Sequence, residues 1–158
     1  MAREPLIATA PGKELIPRIG RGDEQAFGEF YSLRKHWCDG YPLIHDRQFT
    51  YGFVDDLALD VEARLRVIPL MALIAVNEER GFFHCALAML AHLIPDDRVL
   101  PRPAGFGEAI MRLRERALEQ HDEDNLRCTW GLLVTRARCL RPEGPDPSYV
   151  PIPQFLSL

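Results

Sequence analysis

Two histidines and a cysteine in the most apolar part of the chain are the first candidates for chemistry. His84 and His92 are eight residues apart, which in a helix separates them by about 12 Å along the axis. They cannot bind one metal ion unaided over that distance, and Cys85 would point to a different face. The i, i+4 histidine pair of a metalloprotease is absent. The sequence therefore predicts buried, hydrogen-bonded histidines, with no metal site, no catalytic residues and no cofactor.

The densest acidic group in the chain consists of Asp55, Asp56, Asp60 and Glu62. The i, i+4 spacing of Asp56 and Asp60 would place two carboxylates on one helical face, where they could hold a divalent cation or act as an acid/base pair. No basic phosphate clamp, Gly-rich loop or nucleophile elbow completes such a site. We predict a solvated acidic helix face and, if that face is functional, a partner with a basic surface.

Four arginines in the last third of the chain fall into two pairs, Arg112 with Arg116 and Arg127 with Arg138. Each pair could bind a nucleic-acid backbone, but neighbouring acidic residues neutralise them and favour surface ion pairs. Residues 51–100 carry four Lys/Arg against eight Asp/Glu, which accounts for the whole net charge of −4. That sign is wrong for a nucleic-acid footprint, so a nucleic-acid partner is not expected.

Length and composition predict one ordinary globular domain. The chain has 158 residues, of which 47% are hydrophobic and 27% charged, and this length suffices for a sizeable core. No apolar run is long enough to span a bilayer, and no secretory h-region opens the chain. The four cysteines form no C-x-x-C pair. We expect a cytoplasmic protein with no membrane partner and no disulfide framework.

Two apolar runs, 67–76 and 82–94, flank the charged segment Asn-Glu-Glu-Arg-Gly at 77–81. Each run is apolar on nearly every side, so a helix built from it would be covered all round. We predict a buried αα-hairpin over 69–94, with Pro69 in the first turn of its first arm and Gly81 reversing the chain. This hairpin is expected to be the centre of the fold.

The segments before the hairpin give weaker patterns. Residues 1–22 are predicted to be an irregular N-terminal arm, followed by a helix that Asp23 caps and that ends near residue 39. Residues 41–54 alternate weakly and are predicted to be extended, though whether they form a strand is open. Residues 54–65 carry an apolar stripe opposite the acidic group and predict an amphipathic helix that breaks near 66–68, before Pro69.

A second helix–polar turn–helix pattern covers 106–142. Each arm carries a predicted core-facing stripe at helical spacing. The stripe of the first arm is Phe106, Ala109, Ile110, Leu113, Ala117 and Leu118, and that of the second is Leu126, Trp130, Leu133, Ala137 and Leu140. The predicted fold class is thus all-α, a single helical domain over 23–142 with five or six helices. A compact bundle and a short stack of helical hairpins both fit this pattern.

The last segment, 143–158, is rich in proline and cannot be helical, yet it keeps apolar side chains that include Tyr149, Ile152, Phe155 and Leu156. Disordered tails are normally depleted in such residues. We predict an extended tail that docks on its own domain, or else adds to the groove of a partner.

The string Ile19-Gly20-Arg21-Gly22-Asp23-Glu24-Gln25-Ala26-Phe27, within 15–31, resembles the opening helix of region 2 in extracytoplasmic-function sigma factors. The resemblance covers about a tenth of the chain and implies a transcription-linked role. The chain departs from that family downstream, where neither a basic, aromatic promoter-melting helix nor a C-terminal helix-turn-helix follows.

Taken together, these patterns predict a non-enzymatic protein-binding module, such as an inhibitor, an immunity protein or an adaptor. Its contact residues would be the acidic group at 55–62 and the apolar tail. The alternative is a transcription-linked regulator, and an enzyme ranks third. Homo-oligomerisation is left open by the sequence.

Overall fold

The structure, a computed structural model, describes residues 11–39, 52–119 and 123–141. Within these ranges the chain is helical apart from one 3-10 turn, two very short strands and the connections. The predicted all-α class is therefore confirmed. The helices are α1 (Ile16–Gly20), α2 (Glu24–Asp39), α3 (Gly52–Leu57), α4 (Val61–Val76), α5 (Arg80–Leu93), α6 (Phe106–Glu119) and α7 (Glu123–Ala137), and the strands are β1 (Leu100–Pro101) and β2 (Leu140–Arg141).

The sequence predicted an irregular N-terminal arm over 1–22, but part of this segment is helical. A 3-10 turn over Lys13–Leu15 runs into α1. Pro17 lies in the first turn of α1, where its missing N–H costs no intrahelical hydrogen bond. Leu15 and Ile19 are buried in the main core. This apolar contact orders a segment that its prolines and glycines made look irregular.

The predicted start of α2 is confirmed. The Asp23 carboxylate accepts a hydrogen bond from the backbone N–H of Ala26 at 3.0 Å, which is the N-cap geometry. Arg18 pairs with the same carboxylate at 2.8 Å. The Ala26 hydrogen bond, followed by the Arg18 guanidinium, lowers the pKa of Asp23.

The predictions for 41–65 are wrong in two places. Gly52–Leu57 is helical, so residues 52–54 are not extended as predicted. The rest of the predicted extended segment, 41–51, lies outside the described residues. The expected single helix over 54–65 is interrupted at 58–60, where Ala58 has φ 45°. Asp60 starts a new helix there, since its side chain accepts the Ala63 N–H at 2.9 Å. The N-cap at Asp60 therefore starts a separate helix, although the predicted apolar stripe is continuous through 58–60.

Pro69 does not break the chain where the sequence predicted. Helix α4 runs without interruption from Val61 to Val76, with the proline inside it. Residues on both sides of the proline, among them Ile68 and Met71, are fully buried. Their packing stabilises the helix enough to offset the backbone hydrogen bond that a proline removes.

The corner between α4 and α5 is formed by Asn77, Glu78 and Glu79. Gly81 lies inside α5 and does not reverse the chain as predicted. Asn77 closes α4 instead, because its side-chain amide and its backbone N–H both bond to the Leu73 carbonyl. A side-chain cap thus replaces the glycine that was expected at this position.

Helices α4 and α5 pack against each other and lie at the centre of the fold. In the described residues, α2 and α6 pack against α4, while α3 and α7 pack against α5. Near the start of α4, Arg66 bonds to the Gly20 carbonyl at 2.7 Å; near its end, Glu78 meets Lys35 at 2.6 Å. Helix α2 therefore runs in the same direction as α4.

The later helices follow the predicted apolar stripes with one exception. Phe106, Ile110 and Leu113 of α6 are buried, as are Trp130 and Leu133 of α7. After α7 the chain pairs β2 with β1 in parallel, with Leu100 opposite Leu140. The exception among the described residues is Leu118, which the sequence assigned to the core-facing side of α6 but which is 43% exposed.

Candidate functional site

The predicted acidic face is divided by the structure. Asp56 pairs with Arg34 at 2.9 Å, and Arg34 is only 1% exposed. The same guanidinium donates to the Pro11 carbonyl at 2.7 Å. Asp56 is therefore the counter-ion of a buried arginine that ties α2 to α3 and to the N-terminal segment.

The remaining acidic residues also separate. Asp60 caps α4, so it does not share a helical face with Asp56 as the i, i+4 spacing had suggested. Asp55 and Glu62 are exposed and stay candidates for partner contact. The candidate tail residues Tyr149, Ile152, Phe155 and Leu156 lie outside the described residues.

The histidines of α5 are both half-buried. His92 lies beside charged groups of other segments, namely Arg136, Asp55 and Asp96. Burial, reinforced by Arg136, lowers the pKa of His92. In the described ranges no group of three or more His, Cys, Asp or Glu side chains is arranged to hold a metal ion, and no helix there is long and apolar enough to cross a membrane.

The arginines of α6 do not act as a simple ion-paired surface. Arg116 donates to the carbonyl of Glu78, and its guanidinium lies over the Phe83 ring, 5.4 Å from the centroid. It therefore anchors α6 to the corner between α4 and α5. Arg112 and Arg138 are exposed.

The prediction that the central hairpin is covered on every side is wrong along one line of α4. Leu73, in the middle of this apolar helix, is 53% exposed. Leu73 belongs to a line of residues that recur every three or four positions along one side of α4. All of them are exposed or half-buried: Glu62, Arg66, Pro69, Leu73 and Asn77. Neither α2 nor α6 covers this line.

A groove lies between this line and α2. Its volume is about 430 Å³. The α2 wall carries small and polar groups, whereas the α4 wall carries two large aliphatic side chains. The lining residues are Gly28, Tyr31 and Ser32 from α2, and Leu73, Ile74, Asn77 and Glu78 from α4 and the corner that follows it. We call this feature the α2/α4 groove.

The polar end of the α2/α4 groove is built on Glu78, which is only 5% exposed. Its carboxylate accepts hydrogen bonds from the Tyr31 hydroxyl, from Lys35 Nζ at 2.6 Å and from the Glu79 backbone N–H at 2.8 Å. Lys35 also lies over the Phe82 ring, 4.7 Å from its centroid. The cluster fixes α2 against the end of α4.

These contacts set the charge states of the cluster. Burial alone would raise the pKa of Glu78, but the hydrogen bonds from Lys35 and Tyr31 outweigh it, and the pKa is lowered. Burial, with the Glu78 carboxylate as acceptor, raises the pKa of Tyr31. The Glu78 carboxylate is thus ionised at neutral pH and accepts three hydrogen bonds.

Sequence analysis missed this groove, because its two walls come from helices more than forty residues apart. One signal was available on α2, where Gly28, Tyr31 and Lys35 recur at intervals of three and four and would share a face. On that face Gly28 has no side chain to fill the space, and Tyr31 and Lys35 contribute polar groups. Its partner on α4 could not be recognised, since Leu73 was assigned to the core.

No protein-family model, no curated protein and no solved structure matches the chain.

Proposed function

We propose that this chain is a non-enzymatic protein-binding module whose main contact site is the α2/α4 groove. The observation that carries the proposal is the 53% exposure of Leu73 on the central helix α4, next to a recess of about 430 Å³. An exposed apolar side chain that lines a concave recess offers a partner both an apolar contact and a space to fill. The hydrogen bonds of Glu78 to Tyr31 and Lys35 tie the polar end of the recess to α2.

The charges around the groove define the kind of partner. Glu29 and Glu79 are exposed and adjacent in sequence to lining residues, and Glu62 is exposed on the same line of α4 as Leu73. The nearby cations are engaged, since Lys35 pairs with Glu78 and Arg66 bonds to a backbone carbonyl. The best-fitting partner segment therefore presents an apolar side chain flanked by lysine or arginine. Asp55 remains a second acidic contact at a distance from the groove.

We propose an architecture of two rows of helices joined by the hairpin of α4 and α5. In the described residues α4 packs against both α2 and α6, and α5 packs against both α3 and α7, whereas neither α2 with α3 nor α6 with α7 makes a comparable contact. Helical repeat proteins that stack their helices in rows present one row as an extended binding surface. The proposed groove lies in the row of α2, α4 and α6.

Within this class, the roles of inhibitor, immunity protein and adaptor, acting in the cytoplasm, are the ones we propose. Each requires a stoichiometric complex with another protein and no turnover. The transcription-linked role suggested by 15–31 gains no specific support from the geometry.

The test is affinity capture from the native host with three forms of the full chain: wild type, Leu73→Asp and Val99→Asp. Val99 is 66% exposed and does not line the groove, so Val99→Asp adds the same charge at an exposed apolar position elsewhere. The captured protein is then purified, and its affinity for each form is measured at low and high salt. Duplex DNA is titrated in parallel.

The proposal predicts a stoichiometric protein partner that Val99→Asp retains and Leu73→Asp loses, with affinity that falls as salt rises. Equal binding by Leu73→Asp and wild type would remove the groove as the contact site. Binding of duplex DNA at physiological salt would favour the transcription-linked alternative.

A further inference from the structure

Helix α6 carries a second exposed apolar surface, separate from the α2/α4 groove. Met111 is 49% exposed and Leu118 is 43% exposed. Residues seven apart lie on the same side of a helix, and this side is not the one with which Phe106, Ile110 and Leu113 enter the core. We call the pair the α6 stripe.

A polar group near the α6 stripe is also incompletely satisfied. Arg114, which lies between the two apolar residues in sequence, is half-buried. Its Nε atom is buried, and no acceptor in the described ranges reaches it. A buried N–H of this kind normally has a partner. The stripe therefore offers two apolar contacts and a donor for an acceptor that remains to be supplied.

The chain returns to the beginning of α6 just before its last segment. Arg102 donates to the Leu140 carbonyl at 2.8 Å, and the same guanidinium lies 5.7 Å from the Phe106 ring centroid. Leu140, two residues before the segment 142–158, thus lies near the first turn of α6. Leu118 lies twelve residues further along that helix, about 18 Å away at 1.5 Å per residue.

We propose that the α6 stripe is the docking site for residues 142–158 of the same chain. At about 3.1 Å per residue, a polyproline II segment covers that distance in roughly six residues. Asp146 would then come level with Arg114, and the apolar Tyr149, Val150 and Ile152 would follow near Leu118. This order of an acidic residue and then apolar ones matches the order of Arg114 and Leu118 on α6.

Docking in cis would also explain why α6 carries exposed apolar residues, since the tail would cover them as an end cap. Helix α6 packs against α4, and in stacked helical proteins the outermost helix of a row needs an outer surface that is polar or covered. A tail that covers α6 leaves the α2/α4 groove as the surface available to another protein. The inference does not depend on the proposed function, since it holds whether or not the groove binds a partner.

The test is photo-crosslinking in the full chain, with benzoylphenylalanine in place of Met111. Leu33 on α2, which is 36% exposed, is the matched control position. Dilute protein is irradiated, monomers are separated from dimers, and crosslinked peptides are identified by mass spectrometry. A second sample carries Ile152→Asp and Phe155→Asp together with the probe at position 111.

The expected result is intramolecular crosslinks from position 111 to peptides of 142–158, at least tenfold more abundant than from position 33. The double aspartate form should lose most of them while keeping its helical circular dichroism. Crosslinks between two chains would assign the stripe to a second copy instead. Absence of tail crosslinks, or an undiminished yield in the double aspartate form, would also overturn the proposal.

Discussion

Glu78 is ionised although it is almost completely buried, and three donors make this tolerable. A buried carboxylate costs several kcal/mol unless charges and hydrogen bonds compensate for it. Here Lys35 and Tyr31 of α2, with the Glu79 N–H in the corner that follows α4, supply that compensation. The cluster therefore links the stability of the α2–α4 contact to the protonation of one side chain.

Replacement of Glu78 by glutamine should lower the free energy of unfolding by about 2 kcal/mol at pH 7, because the charged hydrogen bonds are lost. The folded-state pKa is below the ordinary carboxyl value of 4.5. The stabilisation is therefore fully present above that value and is lost as the pH falls through the folded-state pKa. Urea unfolding of both forms at pH 7, 5, 4 and 3 measures this.

In that series the difference between wild type and Glu78→Gln should shrink below pH 4.5. A difference that stays constant or grows on acidification would contradict the assigned charge state. Tyr31→Phe is the companion variant, since it removes one hydrogen bond to the carboxylate but no charge and should cost about 1.5 kcal/mol.

Asp60 and Asp55 are two acidic residues of the same predicted face with different roles. Asp60→Ala should destabilise the protein by about 1 kcal/mol, since it removes the N-cap of α4. Asp55→Ala, at an exposed position, should change stability by less than about 0.5 kcal/mol. Thermal unfolding of the two variants compares them directly, and equal losses would show that the cap at Asp60 contributes nothing.

At this scale the sequence predicted the acidic residues but not their roles. An i, i+4 spacing is meaningful only within one helix, and the interruption at 58–60 removes it for Asp56 and Asp60. The pairing of Asp56 with Arg34 spans more than twenty residues. Local spacing contains no information about such a contact.

Among the helices, α2 has a glycine in its middle that leaves open space. A Cβ at Gly28 would meet nothing within 4 Å, and Gly28 lines the α2/α4 groove. Ala at this position should raise stability by about 0.5 to 1 kcal/mol through helix propensity. Gly105 also has open space but has φ +80°, so Gly105→Ala should destabilise the protein.

Differential scanning calorimetry tests whether Gly28→Ala raises the melting temperature and Gly105→Ala lowers it. A lower melting temperature for Gly28→Ala would show that the groove wall is already closed at this position. The same variant should leave partner affinity nearly unchanged, since a methyl group fills little of the recess.

Elements were predictable where the pattern was strong and local. The Asp23 cap predicted the beginning of α2, and the apolar stripes of α6 and α7 predicted the burial of Phe106 and Trp130. Pro69 misled the prediction because steric rules for proline describe isolated chain, whereas α4 is held by packing on several helices. Gly81 was predicted to reverse the chain, but Asn77 ends α4 four residues earlier and Gly81 lies inside α5.

For the whole molecule, the central position of α4 and α5 predicts a gradient of local stability. Both helices contact several others, whereas α1 and α3 are short and peripheral. Backbone amides of α4 and α5 should exchange most slowly with deuterium, near the limit set by global unfolding. Hydrogen-exchange mass spectrometry measures this, and faster exchange in α5 than in α1 would contradict the central role of the hairpin region.

The same central position explains why the α2/α4 groove could not be predicted from the sequence. An apolar helix in the middle of a fold is expected to be buried on all sides, and all but three of the sixteen residues of α4 are buried or half-buried. Whether one side of it remains open depends on how α2 and α6 are spaced around it. That spacing arises from contacts between distant segments, such as Lys35 with Glu78 and Arg116 with the Glu78 carbonyl.

The central claim is that Leu73 beside the α2/α4 groove anchors a protein partner. It is tested most directly by the dissociation constants of the purified partner for wild type, Leu73→Asp and Val99→Asp, measured by isothermal titration calorimetry. The account predicts a loss of at least about tenfold for Leu73→Asp, or 1.4 kcal/mol, and a change of less than about twofold for Val99→Asp. Equal affinities for all three forms would contradict it.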